Sequence, residues 1–184
     1  MKILLIRIIF IVAILNCPRL LFSQEASPAD TFPVPAGNTY QLFYLQRQPN
    51  TNTIVVELNV TGNKLNLDNP VHVFWLRYTE KGQRSELNFI QRNFAYGIDS
   101  KKIADGVYEL YFVSYKKLKF RLEKGADNQW RVFTNLNNGG RMILRRVYLH
   151  INGGSFWKPN VEYVELKGNE PGTYTELKEK IHVK

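Results

Sequence analysis

Residues 129–151, QWRVFTNLNNGGRMILRRVYLHI, contain the clearest strand–turn–strand pattern in the chain. The turn is Asn137-Asn138-Gly139-Gly140, and a tight reversal of this kind needs a positive φ, which asparagine and glycine tolerate. Apolar and polar residues alternate on both sides of the turn, as is typical of half-buried strands. The stretch therefore predicts an antiparallel hairpin that joins a strand over 129–135 to a strand over 141–151.

The second strand of this hairpin contains a shift in its alternation. Apolar residues have one parity at positions 142 and 144 and the other parity at 147, 149 and 151. A bulge at Arg145-Arg146 would place all five on the same side of the strand. We therefore expect a bulge at this point.

The rest of the chain repeats the same kind of pattern. From Tyr40 onward, short β-rich runs are broken by Gly, Asn, Asp or Pro about every ten residues. Residues 71–78 are apolar at both parities, which indicates a central strand covered on each side. We predict an all-β domain built as an antiparallel β-sandwich, with a lipocalin-like barrel as the alternative.

One short α-helix is expected near residues 86–95. Ser85 is suited to cap its N-terminus, Leu87, Ile90 and Phe94 recur at helical spacing, and Gly97 stands where a left-handed C-terminal cap belongs. So short a helix needs tertiary packing. We expect its apolar face to plug one end or one edge of the sheet.

The first 23 residues have the pattern of a secretory signal peptide. Lys2 and Arg7 precede an apolar run at 8–15. Residues 24–38 are proline-rich and lack periodicity, so we interpret them as an extended leader before a single β-rich domain over 39–184. The prediction is an exported protein, periplasmic or at the cell surface or secreted, with no transmembrane span in its mature chain. A retained single-span anchor is an alternative.

The only cysteine, Cys17, lies inside the predicted signal. Removal of that segment leaves no thiol, which excludes disulfides, thiolate zinc sites and cysteine nucleophiles. The alternative is that Cys17 is retained and carries a lipid anchor.

Residues suited to catalysis are sparse. His72, His150 and His182 are far apart in sequence and lack metal-ligand spacing, and no Gly-x-Ser-x-Gly motif occurs. We therefore expect no catalytic residue, no metal and no cofactor. A carboxylate-dependent hydrolase remains a less favoured hypothesis. Strand alternation places its candidate acids on solvated faces: Glu57, Glu109, Glu162 and Glu165.

A row of cations stands out in a moderately basic chain. Without the signal, 22 basic and 16 acidic residues give a net charge of +6. In the run YKKLKFRLEK (115–124), alternation places Lys117, Lys119 and Arg121 on one face and apolar residues on the other. Together with Arg141, Arg145 and Arg146, these cations are candidates for binding a phosphate-bearing lipid headgroup or an acidic glycan. An edge strand protected from aggregation by lysines is the alternative interpretation.

Trp157 is the aromatic candidate for a binding site. It lies in a predicted turn next to Lys158, where its ring is placed to stack on a sugar or to pack against a partner. The favoured function is a non-catalytic binding or structural module that engages an anionic glycan, a lipid surface or a protein of the cell envelope. The export signal argues against nucleic acid as a partner. No pattern indicates a particular oligomeric state.

The barrel alternative predicts a different function, that of a carrier for a small apolar ligand. Tyr108, Leu110 and Phe112 share one strand face and would then line a cavity. A deep apolar pocket favours such a carrier, whereas a filled interior favours surface binding.

Three short motifs carry a resemblance to a known family. They are PVHVFWL (70–76), Ser85-Glu86-Leu87 leading to Ala95-Tyr96-Gly97, and VEYVELKG (161–168). With these motifs, residues 38–183 resemble a family of exported bacterial domains catalogued as domain of unknown function 4833. The resemblance implies an exported location and a fold. It brings no activity and no catalytic residue.

Overall fold

The computed structural model describes residues 27–155, 158–173 and 175–183. The predictions for the signal peptide, for Cys17 and for Trp157 fall outside these ranges. Within them most residues lie in β-strands, and very few are helical. None of the helices there has the length and apolar character needed to cross a bilayer.

The described residues form thirteen strands and three single helical turns. The turns are 3-10 at Pro28–Thr31 and Tyr78–Glu80, and π-helical at Gln91–Ala95. The strands are β1 Gln41–Arg47, β2 Asn50–Leu58, β3 Val60–Thr61, β4 Lys64–Leu65, β5 Val71–Arg77, β6 Gln83–Glu86, β7 Ile98–Ala104, β8 Val107–Phe112, β9 Tyr115–Lys124, β10 Trp130–Asn135, β11 Arg141–Gly154, β12 Pro159–Asn169 and β13 Glu176–His182.

The long strand β11 joins two branches of one curled sheet. The first branch runs β6-β5-β2-β1, and the second runs β7-β8-β9-β10. One edge of β11 pairs first with β10, over residues 141–143, and then with β1, over residues 146–149. The other edge pairs with β12, which in turn pairs with β13. Strands β3 and β4 form a separate small hairpin.

The two branches curl until their apolar faces meet. The ring of Phe43 in β1 lies 6.4 Å from that of Phe112 in β8 and 5.8 Å from that of Phe120 in β9. Phe43, Leu110 and Leu122 are fully buried at this contact. Aromatic rings in edge or tilted contact add about 0.5–1.5 kcal/mol to the free energy gained from burying their area. The all-β fold with sandwich and barrel character is therefore confirmed.

One strand pair departs from the predicted antiparallel arrangement. Strands β1 and β11 are parallel, with Tyr44 opposite Arg146 and Leu45 opposite Val147. A short turn forces antiparallel pairing only on strands that are close in sequence. Since β1 and β11 are far apart in the chain, no turn fixes their relative direction.

The hairpin and the bulge predicted from residues 129–151 are both confirmed. Strands β10 and β11 pair antiparallel, and Gly139 in their turn has a φ of 83°. The register between β11 and β12 shifts between Leu144 and Arg146. Met142, Leu144 and Val147 are all fully buried as a result.

The predicted helix is present only as a short helical turn, and its start and end differ from the prediction. Ser85 belongs to strand β6 and caps no helix. The π-helical turn closes with the Tyr96 amide donating to the Gln91 carbonyl at 2.7 Å. Gly97 is not a left-handed cap, because its φ is not positive. It is required for close approach, since a Cβ there would lie 1.8 Å from the Arg92 carbonyl oxygen.

The described part of the predicted leader packs against the sheet. Ser27 caps the 3-10 turn Pro28–Thr31 in a capping box with Asp30, and Ala29 is fully buried against Tyr148 and Tyr163. Phe32 contacts Tyr148 edge to face. Residues 27–32 therefore cover the outer face of β11 and β12. Their packing depends on contacts with distant strands, which explains why local sequence gave no periodicity.

Candidate functional site

An apolar cleft of about 550 Å³ opens at one end of the curled sheet. Along β1, Phe43, Leu45 and Arg47 share the inner face, because alternate residues of a strand point the same way. Phe43 lies in the filled core, whereas Leu45 and Arg47 line the cleft. The interior is thus filled at one end of β1 and hollow at the other. The cleft walls are mostly apolar, with Leu149, Ile151, Val161 and Phe112 among their side chains.

The helical turn forms one rim of the cleft. Ile90, Phe94 and Tyr96 line the cleft, and Phe94 is 64% exposed. Two contacts of Trp75 hold the turn on the sheet: the indole Nε1 donates to the side chain of Gln91 at 3.3 Å, and the indole ring meets Tyr96 edge to face at 5.1 Å. The turn lies at one end of the sheet, as expected of the predicted helix, but it borders a cleft and does not fill it.

Arg47 brings a positive charge to this apolar cleft. Its Nε is buried and has no hydrogen-bond partner among the described residues. Its guanidinium lies 5.1 Å from the centre of the Tyr96 ring, a cation–π contact. Burial raises the pKa of Tyr96, and the charge of Arg47 opposes this only in part. The Tyr96 hydroxyl therefore stays neutral at physiological pH.

Leu110 and Tyr108, which the carrier hypothesis placed around a cavity, are buried in the packed core. Of that predicted set, Phe112 alone lines the cleft. The residues that matter there include Arg47, which sequence reasoning missed. A signal was present, because Arg47 has the same parity as Phe43 and Leu45, so that a cation falls on the apolar face of its strand.

The predicted basic row lies on the outer face of β9. Lys117 is exposed, and Lys119 and Arg121 border a groove of about 290 Å³. Phe133 and Arg141 also line this groove, with the Arg141 guanidinium 3.8 Å from the centre of the Phe133 ring. This arrangement places an aromatic ring among three cations.

Carboxylates neutralise much of this groove. Lys119 Nζ lies 3.1 Å from Glu109, Arg121 Nε lies 3.8 Å from Glu123, and Arg141 also pairs with Glu123. Three cations thus face two acids, which leaves a weaker positive field than the sequence suggested.

The structure does not bring Arg145 and Arg146 into the groove. Arg145 is exposed on β11, whereas Arg146 is buried. Arg146 Nη2 donates to Glu165 at 2.9 Å and to Asp30 at 3.1 Å, and its Nη1 donates to the Ala29 carbonyl at 3.2 Å. The expectation that Arg146 forms part of an exposed basic surface is therefore corrected: residues 27–32 cover it.

Two of the four acids expected on solvated faces are buried. Glu165 is paired with Arg146, and Glu57 accepts a hydrogen bond from Arg84 at 2.7 Å. Burial raises the pKa of Glu57, but hydrogen bonds from Arg84, His72 and Asn38 outweigh burial and hold its pKa below its ordinary value. Charge pairing thus makes both buried carboxylates tolerable.

His72 connects Glu57 to Glu86. Its Nδ1 lies 3.2 Å from Glu57 and its Nε2 lies 2.9 Å from Glu86. The His72 ring also stacks on the Phe74 ring, with 5.7 Å between the ring centres, and the Arg84 guanidinium lies over the Phe74 ring as well. His72 is thus a histidine of the sheet whose ring nitrogens both have hydrogen-bond partners. Among the described residues, no group of three or more His, Cys, Asp and Glu side chains is arranged to hold a metal ion.

Comparison with known proteins identifies a family and no characterised relative. The family model described as domain of unknown function DUF4833 matches residues 43–180. No curated protein and no solved structure matches the chain. The matched span begins at the buried core residue Phe43 and ends at residue 180, within the last strand, β13. It therefore contains nearly all of both branches of the sheet and most of the cleft. Since the match covers well over half of the sequence, the chain belongs to the DUF4833 family.

Proposed function

We propose that this chain is an exported, non-catalytic binding module that holds a small, largely apolar molecule in the cleft at the end of the sheet. The observation that carries the proposal is the cleft itself, about 550 Å³ in volume and walled mostly by apolar side chains. Small-molecule sites typically span roughly 300–1,000 Å³ and combine apolar walls with a few polar groups. The proposal of export rests on the signal pattern of residues 1–23.

The packing around the cleft supports a binding role. Tyr108, Leu110 and Leu122 fill the interior next to it, so the cleft does not reflect a loosely packed domain. Two apolar side chains of its rim, Ile90 and Phe94, are exposed. Exposure of apolar surface to water costs free energy. An apolar ligand would cover both the walls and this rim.

Binding of the fluorescent apolar probe N-phenyl-1-naphthylamine to the purified protein tests the proposal. We expect saturable enhancement of the probe's fluorescence. Val161→Trp, which places a large ring in the cleft wall, should weaken binding at least tenfold. Val34→Trp is the matched control, because Val34 is exposed and does not line the cleft. Absence of saturable binding, or equal weakening in both variants, would refute the proposal.

A second candidate function is surface binding of an anionic glycan or lipid headgroup at the groove on β9. Phe133 beside Lys119, Arg121 and Arg141 favours it, since an aromatic ring with cations suits a charged sugar. The apolar cleft remains the preferred site, because Glu109 and Glu123 offset the cations of the groove.

A further inference from the structure

We infer that the ligand of the cleft is an anionic amphiphile, whose single negatively charged head group pairs with Arg47 while its apolar body lies along the walls. This inference rests on the proposed function and adds the chemical class of the ligand. It starts from one side chain, that of Arg47, which lines the cleft together with Leu45 and Phe94 and contacts the ring of Tyr96.

Among the described residues, the charged side chains Arg146 and Glu57 are buried with partners of opposite charge. Arg146 pairs with Glu165, and Glu57 pairs with Arg84. Arg47 differs, because no ion pair within residues 27–155, 158–173 and 175–183 includes it. Its Nε, like the Nε of Arg146, is buried without a hydrogen-bond partner there. Burying a guanidinium nitrogen without a partner costs free energy that an anion would recover.

The contact with Tyr96 orients this charge without neutralising it. A ring at 5.1 Å attracts a cation but accepts no N–H···O bond. A guanidinium has five N–H donors in a planar fork that matches a carboxylate or a phosphate oxygen pair. The site thus offers a donor set for one anionic group in an otherwise apolar cleft.

The position of Arg47 determines where the head group of the bound molecule lies in the cleft. Arg47 is the last residue of β1 and lies four residues beyond Phe43 on the same strand face, at the end of the strand away from the filled core. Lys158 also lines the cleft but is exposed. A head group held by Arg47 leaves the apolar body to lie along Leu149, Ile151 and Val161, which also line the cleft.

The experiment compares two ligands that share a twelve-carbon chain and differ in the head group, dodecanoate with a charged carboxylate and dodecan-1-ol with a neutral hydroxyl, in displacement of N-phenyl-1-naphthylamine at pH 7.5. The wild-type protein should bind dodecanoate at least tenfold more tightly than the alcohol, because hydrogen bonds between two charged groups are stronger than those to a neutral hydroxyl. Arg47→Met should abolish this preference and leave alcohol binding within about twofold, because it keeps an unbranched apolar side chain.

Lys158→Met is the matched control, because it removes the other cation of the cleft lining. It should preserve most of the preference for the carboxylate. If the preference disappears in Lys158→Met and survives in Arg47→Met, the inference is overturned. Thermal unfolding monitors the integrity of each variant, and the wild-type ratio of the two affinities tests the inference even if Arg47→Met fails to fold.

The outcomes separate the inference from the proposed function. Equal wild-type affinities for dodecanoate and dodecan-1-ol would overturn the anionic head group and leave the apolar cleft as a binding site. Failure of the fluorescent probe and of both dodecyl ligands to bind would overturn the proposed function and this inference with it.

Discussion

Arg146 and Glu165 form an ion pair at 2.9 Å in which the two side chains retain only 4% and 8% of their exposure. They lie on neighbouring strands, β11 and β12, beneath residues 27–32. Removing one partner from such a pair leaves an uncompensated buried charge. Arg146→Met and Glu165→Gln should therefore each lower the free energy of unfolding by about 3–5 kcal/mol. Urea unfolding of both variants and of the double variant measures this. A loss below about 1 kcal/mol in both single variants would contradict the prediction.

Glu57 and Asp30 each pair with an arginine, and these two ion pairs predict that the protein loses stability in acid. Burial raises the pKa of each carboxyl and is the largest effect, but hydrogen bonds and nearby positive charges together outweigh it. Arg84 is the main contributor at Glu57 and Arg146 at Asp30, so both pKa values lie below their ordinary values of 4.5 and 3.8. The unfolded state then binds more protons. The stability from these groups is fully present above their ordinary pKa values and is lost as the pH falls through the lowered folded values. Urea unfolding between pH 6 and pH 3 should give a falling free energy of unfolding, with a shallower slope in Glu57→Gln. Identical slopes would show that Glu57 has no such role.

Gly97 is needed because the helical turn comes very close to the following chain. Gly97→Ala would put a Cβ 1.8 Å from the Arg92 carbonyl oxygen, so the backbone must shift. We expect a loss of about 1–3 kcal/mol in the free energy of unfolding, the usual cost of overpacking. Gly37→Ala is the matched control, because no atom lies within 4 Å of a Cβ there, and it should be nearly neutral. Thermal unfolding of the pair is the measurement, and equal melting temperatures would disprove the close approach.

Phe89 and Phe94 offer a test of which rim residue faces the cleft. Both side chains are exposed and their ring centres lie 6.4 Å apart, but of the two only Phe94 lines the cleft. Phe94→Ser should weaken binding of N-phenyl-1-naphthylamine by roughly tenfold, because an aromatic contact of about 1.5 kcal/mol is lost. Phe89→Ser should change it less than twofold. Fluorescence titration compares the variants, and a larger effect at Phe89 would place the ligand outside the cleft.

If the groove on β9 is a functional surface, added salt should weaken the binding of anionic partners there. Reversing Lys117 and Lys119 to glutamate should reduce retention on anionic vesicles or on a sulfated glycan at low salt, since surface charge attraction is screened within roughly 10 Å at 0.1 M salt. Lys64 and Lys81 are exposed elsewhere and give a control with the same change in net charge. Sedimentation with vesicles measures the effect. If both double variants bind alike, the attraction is a property of net charge and not of the groove.

The sequence was sufficient where the signal is local. Asn137-Asn138-Gly139-Gly140 contains its own turn chemistry, and the shift of parity across Arg145 determines a bulge without reference to any other strand. Both follow from the steric rules of glycine and from the two-residue period of a strand. The all-β class followed for the same reason.

Features that depend on distant segments were not predictable in this way. Arg146 looks like a surface cation in its own strand and is buried only because residues 27–32, more than a hundred positions earlier, pack over it. The cleft depends on where β1, β12 and the turn at Gln91–Ala95 meet, which no single stretch specifies. Arg47 was the exception: the parity of its strand indicated an inward cation, but nothing local showed that the space beside it is open.

Strands β1 and β10 share one edge of β11, and this limits which fragments of the protein can fold alone. Removing β1 would strip hydrogen bonds from one part of that edge, and removing β10 would strip them from another, while β12 would remain on the opposite side. An exposed ladder of amide and carbonyl groups invites pairing with another chain. Neither branch is therefore a self-sufficient fragment, and truncation from either side would yield a molecule prone to self-association.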